Sequence, residues 1–276
     1  MTHTNLKRAI SSLPKTTTSE EEALLQLLGD YITEDDWQHF DESLLHQMAA
    51  THYELTKKRR AGQANIEIYT PNTGALGPMK TIVDIVSDDL AFLVDSVVAE
   101  INKHSYLLEL LVHPVLYACY DSKGALQEIN GSNPDSCIKQ SHIHIHIKDT
   151  LTKEDIDTLK AGLEEALKDV FTCNKDWQPM LAQLRQARRD LETARTRRSS
   201  KEILEYCAFL DYLYDNNFTL LGYREYKFVN TDNGIASRTV KGSSLGLLHD
   251  DIKPAFISES EEGLPRNLQE KRRNLP

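Results

Sequence analysis

The sequence predicts an α+β fold organised around a ferredoxin-like βαββα unit, and two observations carry that prediction. The first is a strand–helix–strand core between Thr81 and Tyr120, and the second is a further strand and helix that follow a polar loop. This order supplies most of a βαββαβ layout, in which helices pack on an antiparallel sheet. Helices are predicted before this unit, and a helical pair with a β-hairpin after it.

The strand–helix–strand core opens with the β-branched run Thr81–Val86, which is typical of a strand. An apolar stripe at helical spacing follows, formed by Leu90, Leu93, Val94, Val97, Val98 and Ile101. Tyr106–Tyr120 predicts a second strand, apolar almost throughout and broken at Pro114. Because an apolar helical stripe needs a sheet face to cover it, we expect Val94 and Val97 to be buried against these strands.

The second half of the unit begins after a polar loop over residues 121–140, with turns predicted at Asp121–Gly124 and Ser132–Asp135. Residues 141–147 then alternate strictly, with isoleucines on one face and His142, His144 and His146 on the other. The spacing of Thr152 and Asp155 resembles a capping box and predicts the start of a helix.

The flanking sequence gives the predicted domain organisation. Asp176 and Pro179 predict the start of one C-terminal helix, and Ser199 with Glu202 predicts a capping box at the start of another. Asn233-Gly234 predicts a hairpin turn. The segments are a disordered lead-in (1–18), a helical segment (19–62), the α+β domain (63–175), the helical pair and hairpin (176–250), and a tail or truncated start of a further domain (251–276).

Composition limits the function classes. The 276 residues are 40% hydrophobic and 27% charged, as in ordinary soluble proteins, and the net charge of -10 argues against general nucleic-acid affinity because phosphates would be repelled. No run of 18 apolar residues and no signal-like start is present. Cys119 and Cys207 lie in apolar patterns, and none of the cysteines forms a CxxC pair, which favours buried free thiols over disulfides. We expect a cytoplasmic protein that binds neither membrane nor nucleic acid.

The histidine face of residues 141–147 is the first candidate for chemistry. Successive histidines on one face of a strand lie about 6 to 7 Å apart, so one straight strand cannot bring all three to one ion. With no Cys, Asp or Glu motif nearby to complete a zinc set, the pattern favours a hydrated sheet face and no metal. The alternative is a small metal-dependent enzyme that uses these histidines.

Ser87, Asp88 and Asp89 form the second candidate, a ligand site at the predicted start of a helix, where capping is the plainer interpretation. Two carboxylates there favour an amine over an anion. A basic stripe is interpreted as a solvated helix end that pairs with acidic groups, and it consists of Arg185, Arg188, Arg189, Arg195, Arg197 and Arg198. Gly242–Gly246 lacks phosphate-loop spacing and is predicted to be a loop. These patterns indicate a regulatory or interaction module without catalytic residues.

Several longer segments resemble the N-terminal region of the large bacterial NAD-specific glutamate dehydrogenases. They are residues 83–97 (VDIVSDDLAFLVDSV), 111–115 (LVHPV), 209–211 (FLD), 217–226 (NFTLLGYREY) and 243–248 (SSLGLL), which together span roughly residues 60 to 250 in the family's order. The resemblance implies an ACT-like unit, a fold that often binds amino acids and pairs its sheets. It also implies that the catalytic lysine and the NAD-binding segment lie outside this chain, which is then inactive alone and holds no cofactor.

This chain differs from the family pattern at two places, and the resemblance is compatible with two functional interpretations. Phe92 stands where ACT domains place a glycine near the ligand, and the family keeps one histidine, aligned with His144, where this chain has three. The implied function is the regulatory region of a glutamate dehydrogenase, and the alternative is a free-standing amino-acid-sensing module. The expected partners are later domains of the parent chain or a second copy, which dock on the edge strands Ile66–Tyr69 and Ser141–Ile147, with an amino acid as a possible effector.

Overall fold

The computed structural model describes residues 2–71, 80–132, 137–194, 198–231 and 234–249. The chain forms two compact units, Met1–Phe171 and Thr172–Pro276. The predicted turn at Ser132–Asp135, the turn residue Asn233 and the tail over 251–276 fall wholly or partly outside the described residues.

The first unit contains the predicted α+β core. Its helices are α1 (Thr2–Ser11), α2 (Ser19–Asp30), α3 (Glu42–Lys57) and α4 (Leu93–Lys103), with a 3₁₀ turn at Asp36–His39. Helix α5 (Lys153–Thr193) begins in this unit and ends in the second. Its strands are β1 (Asn65–Tyr69), β2 (Thr81–Asp88), β3 (Leu108–Val112), β4 (Val115–Tyr120), β5 (Leu126–Asn130) and β6 (Ile138–Ile147).

One antiparallel sheet holds these strands in the order β1-β2-β6-β4-β5, and β3 also pairs with β6. The chain order β2, α4, β3 with β4, β6, α5 is the predicted βαββα unit, which confirms the α+β fold class. Pro114 splits the predicted strand Tyr106–Tyr120 into β3 and β4, because proline cannot donate to the ladder. The polar loop predicted over 121–140 contains β5, which pairs with β4 across the predicted turn at Asp121–Gly124.

Helices cover both faces of this sheet. The isoleucine face of β6 packs with Val83, Val97 and Leu163 in a core between the sheet and the helices α4 and α5. The opposite face packs against α2 and α3 through Leu28, Leu45 and neighbouring residues. Strand β2 lies between the two layers, so Thr81 to Ser87 are all buried. A strand covered on both faces is apolar along its whole length, which is why Thr81–Val86 shows no alternation.

The N-terminal segment differs from its prediction as a disordered lead-in over 1–18. Thr2–Ser11 forms α1, and Leu6 and Ala9 are buried in the α2–α3 core. Thr18 caps α2 by accepting a hydrogen bond from the Glu21 backbone N–H. The polar composition of residues 1–18 gave no sign of α1, because this helix is stabilised by tertiary packing rather than by its own helix propensity.

The start of α4 also differs from prediction. Ser87, Asp88 and Asp89 do not cap it, because the helix begins at Leu93 after Phe92, which adopts a left-handed conformation with φ 70°. Val97 is fully buried as predicted, whereas Val94 is only partly buried.

The second unit contains α6 (Ser200–Tyr212), a π-type turn (Leu213–Asn217), β7 (Gly222–Tyr223), β8 (Tyr226–Thr231), β9 (Gly234–Thr239) and β10 (Leu245–Gly246). The capping box between Ser199 and Glu202 is confirmed, and β8 pairs with β9 as a hairpin. The predicted helix start at Asp176 is wrong. Helix α5 continues unbroken through Pro179, and the Asp176 carboxylate instead accepts a hydrogen bond from the Gly246 backbone N–H at 2.7 Å.

The cysteines follow the prediction only in part. Cys173 and Cys207 are buried thiols, as predicted for Cys207. Cys119 and Cys137 are joined in a disulfide, contrary to the expectation of free thiols. Cys119 lies near the end of β4 and Cys137 immediately precedes β6; since β4 pairs with β6, the sheet brings these two distant positions together.

Candidate functional site: a buried histidine–aspartate cluster

The centre of the sheet holds a cluster of buried polar side chains on the face that packs against α2 and α3. We call the following five residues the histidine–aspartate cluster: His52, Asp84, His142, His144 and His146. All five are completely buried. The prediction of a hydrated histidine face is therefore wrong, because strict alternation fixes which residues share a face but not what covers that face.

Three elements meet in the cluster. His52 comes from α3, Asp84 from β2 and the remaining histidines from β6. The β2–β6 register places Asp84 directly opposite His144. The search for a Cys, Asp or Glu motif that completes a zinc set considered only residues near in the sequence, and it missed Asp84, which stands beside the histidines on the neighbouring strand.

Asp84 is the hub of the contacts. Its Oδ1 accepts a hydrogen bond from His144 Nδ1 at 2.5 Å and lies 3.2 Å from His52 Nε2. Its Oδ2 accepts a hydrogen bond from the Tyr69 hydroxyl at 2.9 Å. A carboxylate taken out of water needs such compensation, because an unpaired buried charge is strongly destabilising.

Two further histidines flank this centre. His146 Nε2 lies 2.8 Å from His144 Nε2, and His142 Nδ1 lies 3.2 Å from His52 Nδ1. The Phe40 ring closes the site, with its centroid 5.7 Å from that of His144 and 5.2 Å from that of His146. The four imidazoles therefore form two pairs, His144 with His146 and His52 with His142, on either side of the Asp84 carboxylate, and the Phe40 ring packs against the first pair.

The protonation states follow from burial and charge. Burial favours the neutral carboxyl of Asp84, but the adjacent His144 and His52 outweigh it and hold the pKa of Asp84 below its usual value. Burial lowers the pKa of His146 to about 2 and that of His142 well below its usual value. At neutral pH Asp84 is therefore ionised, and His142 and His146 are neutral imidazoles.

Three ring nitrogens of the cluster are buried without a hydrogen bond in the described part of the chain. They are His52 Nε2, His142 Nε2 and His146 Nδ1. His52 Nε2 is 3.2 Å from Asp84 Oδ1, yet the two atoms form no hydrogen bond. A buried nitrogen in this position costs free energy unless something else satisfies it.

The predicted ligand residues Ser87, Asp88 and Asp89 are not part of this cluster. The Asp88 carboxylate accepts hydrogen bonds from Arg59 at 2.6 Å and from the Gly62 backbone N–H at 3.0 Å, which ties the end of β2 to the loop after α3. Ser87 is buried, and its hydroxyl donates to the backbone carbonyl of Asp88.

Asp89 has partners of its own on β6. Its carboxylate pairs with Lys139 at 2.6 Å and accepts a hydrogen bond from the Ser141 hydroxyl at 2.8 Å. His113 contacts the same hydroxyl at 2.9 Å. Both carboxylates of the predicted ligand site therefore hold neighbouring segments of the fold together.

The remaining sequence candidates are the basic stripe and the segment Gly242–Gly246. Arg188 pairs with Glu192 at 2.7 Å and with Asp211 at 2.8 Å, in agreement with the interpretation of the basic stripe as a solvated helix surface. Arg195 and Arg197 lie outside the described residues. Within Gly242–Gly246 the chain forms a turn that leads into β10.

Sequence reasoning missed His52 and Asp84 as members of the cluster. His52 is 90 residues from His142, and nothing in its helical surroundings marks it. Asp84 did leave a signal, because it is the charged residue within the apolar run Ile82–Val86. A carboxylate inside a strand that is buried on both faces requires a buried partner.

Comparison with known proteins identifies relatives of this chain. Residues 24–163 match the family model described as the glutamate dehydrogenase ACT1 domain. The NAD-specific glutamate dehydrogenase of Pseudomonas aeruginosa is 29% identical over 199 residues, which cover 71% of this chain and 12% of that protein. The NAD-specific glutamate dehydrogenase of Halomonas elongata is 29% identical over 174 residues, which cover 62% and 11%. The matched region thus corresponds to only 12% and 11% of the length of these two relatives. Among the described residues no helix is long and apolar enough to cross a membrane.

Proposed function

We propose, since the chain belongs to the glutamate dehydrogenase ACT1 domain family, that it is the N-terminal regulatory and interaction region of a large NAD-dependent glutamate dehydrogenase. The parent reaction is the oxidative deamination of L-glutamate to 2-oxoglutarate, with NAD bound elsewhere in the parent. The family match carries this proposal, together with relatives that are several times longer than the match. The proposed location is the cytoplasm, and this chain alone is proposed not to turn over glutamate.

The partner that we propose is a later domain of the same parent, and the second unit offers a surface for it. We call the exposed apolar residues of this unit the α6 surface: Leu204, Tyr206, Phe209, Tyr212, Phe218 and Leu221. Leu204 is 67% exposed, Phe218 61% and Phe209 59%. Clustered exposure of large apolar side chains is typical of interaction sites.

The sheet offers a second route for docking, and here one prediction is corrected. Residues 141–147 belong to β6, which pairs with β2 on one side and with β3 and β4 on the other, so they are not an edge. Strand β1 pairs with β2 alone among the described strands. Its Ile66–Tyr69 segment therefore keeps the unpaired backbone groups by which a strand of another domain could extend the sheet.

Docking is favoured over amino-acid sensing by the contacts of the predicted ligand residues. Asp88 and Asp89 already accept hydrogen bonds from Arg59, Lys139 and Ser141. An incoming ammonium group would have to displace them. Phe92 occupies a left-handed backbone position at φ 70°, where glycine would let a ligand approach the backbone and phenylalanine adds a bulky side chain.

The proposal is tested by reading the coding sequence beyond Pro276, expressing that remainder and measuring its affinity for this chain by sedimentation velocity. Binding is expected, and Leu204→Glu or Phe209→Glu should weaken it at least tenfold. Leu107→Glu is the matched control, because Leu107 is also a largely exposed leucine, 56%, but lies in the first unit.

A calorimetric titration with amino acids distinguishes the docking region from the alternative, a free-standing amino-acid-sensing module. A saturable micromolar site that Asp88→Ala abolishes would favour a free-standing sensor over a docking region, and a remainder without glutamate dehydrogenase sequence would overturn the assignment to a parent enzyme.

A further inference from the structure

We propose that His52, Asp84 and His144 bind one transition-metal dication, with zinc the ion that best suits the donor set. The site is independent of the docking function proposed above. Its three ligand atoms all lie within 4.8 Å of one another, and all three residues are buried. They come from α3, β2 and β6, so a bound ion would join the helical layer to the two central strands of the sheet.

Coordination requires His144 to move away from Asp84, while the ligand atoms of His52 and His144, which lie within 4.8 Å of each other, draw together around the ion. Ligand atoms around a tetrahedral zinc ion at 2.0–2.1 Å are about 3.3 Å apart. His52 Nε2 and Asp84 Oδ1 already have that separation, at 3.2 Å. His144 Nδ1 lies 2.5 Å from the same oxygen and would move outward as the ion replaces the proton between them.

The orientation of His52 also supports a metal site. Its Nε2 approaches Asp84 Oδ1 to hydrogen-bond distance without forming a hydrogen bond. Two ligands of one ion have this relation, because each directs its lone pair at the ion rather than at the other ligand. The ion would also satisfy a nitrogen that is otherwise buried without a partner.

The outer contacts complete the site. A histidine that binds metal through one nitrogen usually donates the N–H of the other to an acceptor, which fixes the ring. With the ion on His144 Nδ1 and His52 Nε2, their other nitrogens carry protons and face His146 Nε2 at 2.8 Å and His142 Nδ1 at 3.2 Å. Tyr69 holds the second oxygen of Asp84 in the same way.

The chemistry of the donors selects the class of ion. Two imidazole nitrogens and one carboxylate oxygen suit zinc and its neighbours in the first transition row, whereas magnesium and calcium require mostly oxygen ligands. Three protein ligands leave one position for water. Complete burial and the adjacent Phe40 ring indicate a structural ion rather than a catalytic one, because no substrate reaches it.

The test is a titration of the tag-free chain with Co²⁺ and then Zn²⁺. We expect visible ligand-field absorption by Co²⁺ that saturates at one equivalent, displacement of Co²⁺ by Zn²⁺, and a melting temperature that rises with Zn²⁺ and falls with a chelator. His52→Gln and His144→Gln should abolish saturation. His146→Gln, which changes only an outer contact, should weaken affinity by roughly 10- to 100-fold. His104→Gln is the control, because His104 pairs with Glu100 outside the cluster.

Two results would overturn the site: absence of saturable Co²⁺ or Zn²⁺ binding by the folded wild-type chain, or binding that survives both His52→Gln and His144→Gln. If those variants do not fold, X-ray absorption on the zinc-loaded wild-type chain decides. Nitrogen and oxygen neighbours with imidazole scattering support the site, whereas sulfur neighbours, which would come from Cys173 or Cys207, refute it.

Discussion

Replacing Val97 by aspartate gives a quantitative test of the packing of α4 on the sheet. Val97 is completely buried among the isoleucines of β6 and the leucines of α5. Losing its burial costs about 1.5–3 kcal/mol. The introduced carboxyl escapes the larger penalty of a buried charge by staying protonated, and holding it protonated at pH 7 costs about 4 kcal/mol, from an ordinary pKa near 3.9 and 1.36 kcal/mol per pH unit. The total of about 6 kcal/mol is comparable to the whole stability of many domains.

The pH dependence of the stability lost in Val97→Asp distinguishes the cost of the introduced carboxyl from the cost of lost packing. Because the folded state raises the pKa of the introduced carboxyl, the penalty grows as pH rises above the unfolded-state value, and at pH 5 it falls to about 1.5 kcal/mol. Urea unfolding of Val97→Asp should therefore show partial recovery at pH 5, whereas the neutral Val97→Asn should show none. Ala99→Asp, exposed on the same helix, should change stability by less than about 1 kcal/mol. A Val97→Asp variant as stable as wild type at pH 7 would refute the packing of α4.

Three smaller predictions concern other positions. Gly162→Val should cost about 1–3 kcal/mol in urea unfolding, because a Cβ there collides with the Glu100 carboxylate, and adding Glu100→Ala should recover part of the loss. Phe92→Gly should raise stability by about 1 kcal/mol, since a left-handed backbone at φ 70° is unfavourable for any residue with a Cβ; an unchanged or lower stability would mean that Phe92 packs usefully. Asp89→Asn should lower the melting temperature by a few degrees at pH 7. Despite partial burial, Lys139 and the Ser141 hydroxyl hold the pKa of Asp89 below its usual value of 3.8. The Asp89 carboxylate therefore stabilises the fold above pH 3.8 and loses this effect as the pH falls further, so the melting temperatures of the variant and the wild type should converge in acid.

The sequence was sufficient for the elements whose signals are local. Spacing of apolar residues located α4, alternation located residues 141–147 of β6, and the caps at Thr152 and Ser199 mark where helices begin. Two local signals were overridden. Asp176 and Pro179 are typical of a helix start, yet α5 passes through both, because tertiary contacts such as that of Asp176 with Gly246 outweigh propensity.

The layer that covers the histidine face could not be predicted, because nothing local encodes it. The alternation of residues 141–147 assigns His144 and Ile145 to opposite faces, but it is compatible with water or with protein over either one. The deciding information lies in α2 and α3, whose leucines bury this face from more than 80 residues away. His52 arrives with that layer, so the candidate metal ligands become visible only when the layers are assembled.

The two faces of the sheet also differ in what they contribute to folding. The isoleucine face packs against α4 and α5 through apolar side chains, whereas the histidine face places a carboxylate and four imidazoles where apolar side chains would pack. Replacing a buried charged group and its partners by apolar residues of similar volume is often neutral or stabilising. Folding alone therefore does not require Asp84 and His144 at the centre of the sheet. The proposed ion would account for them, because the free energy of binding to the folded state alone is added to that of folding and offsets the cost of burying the cluster.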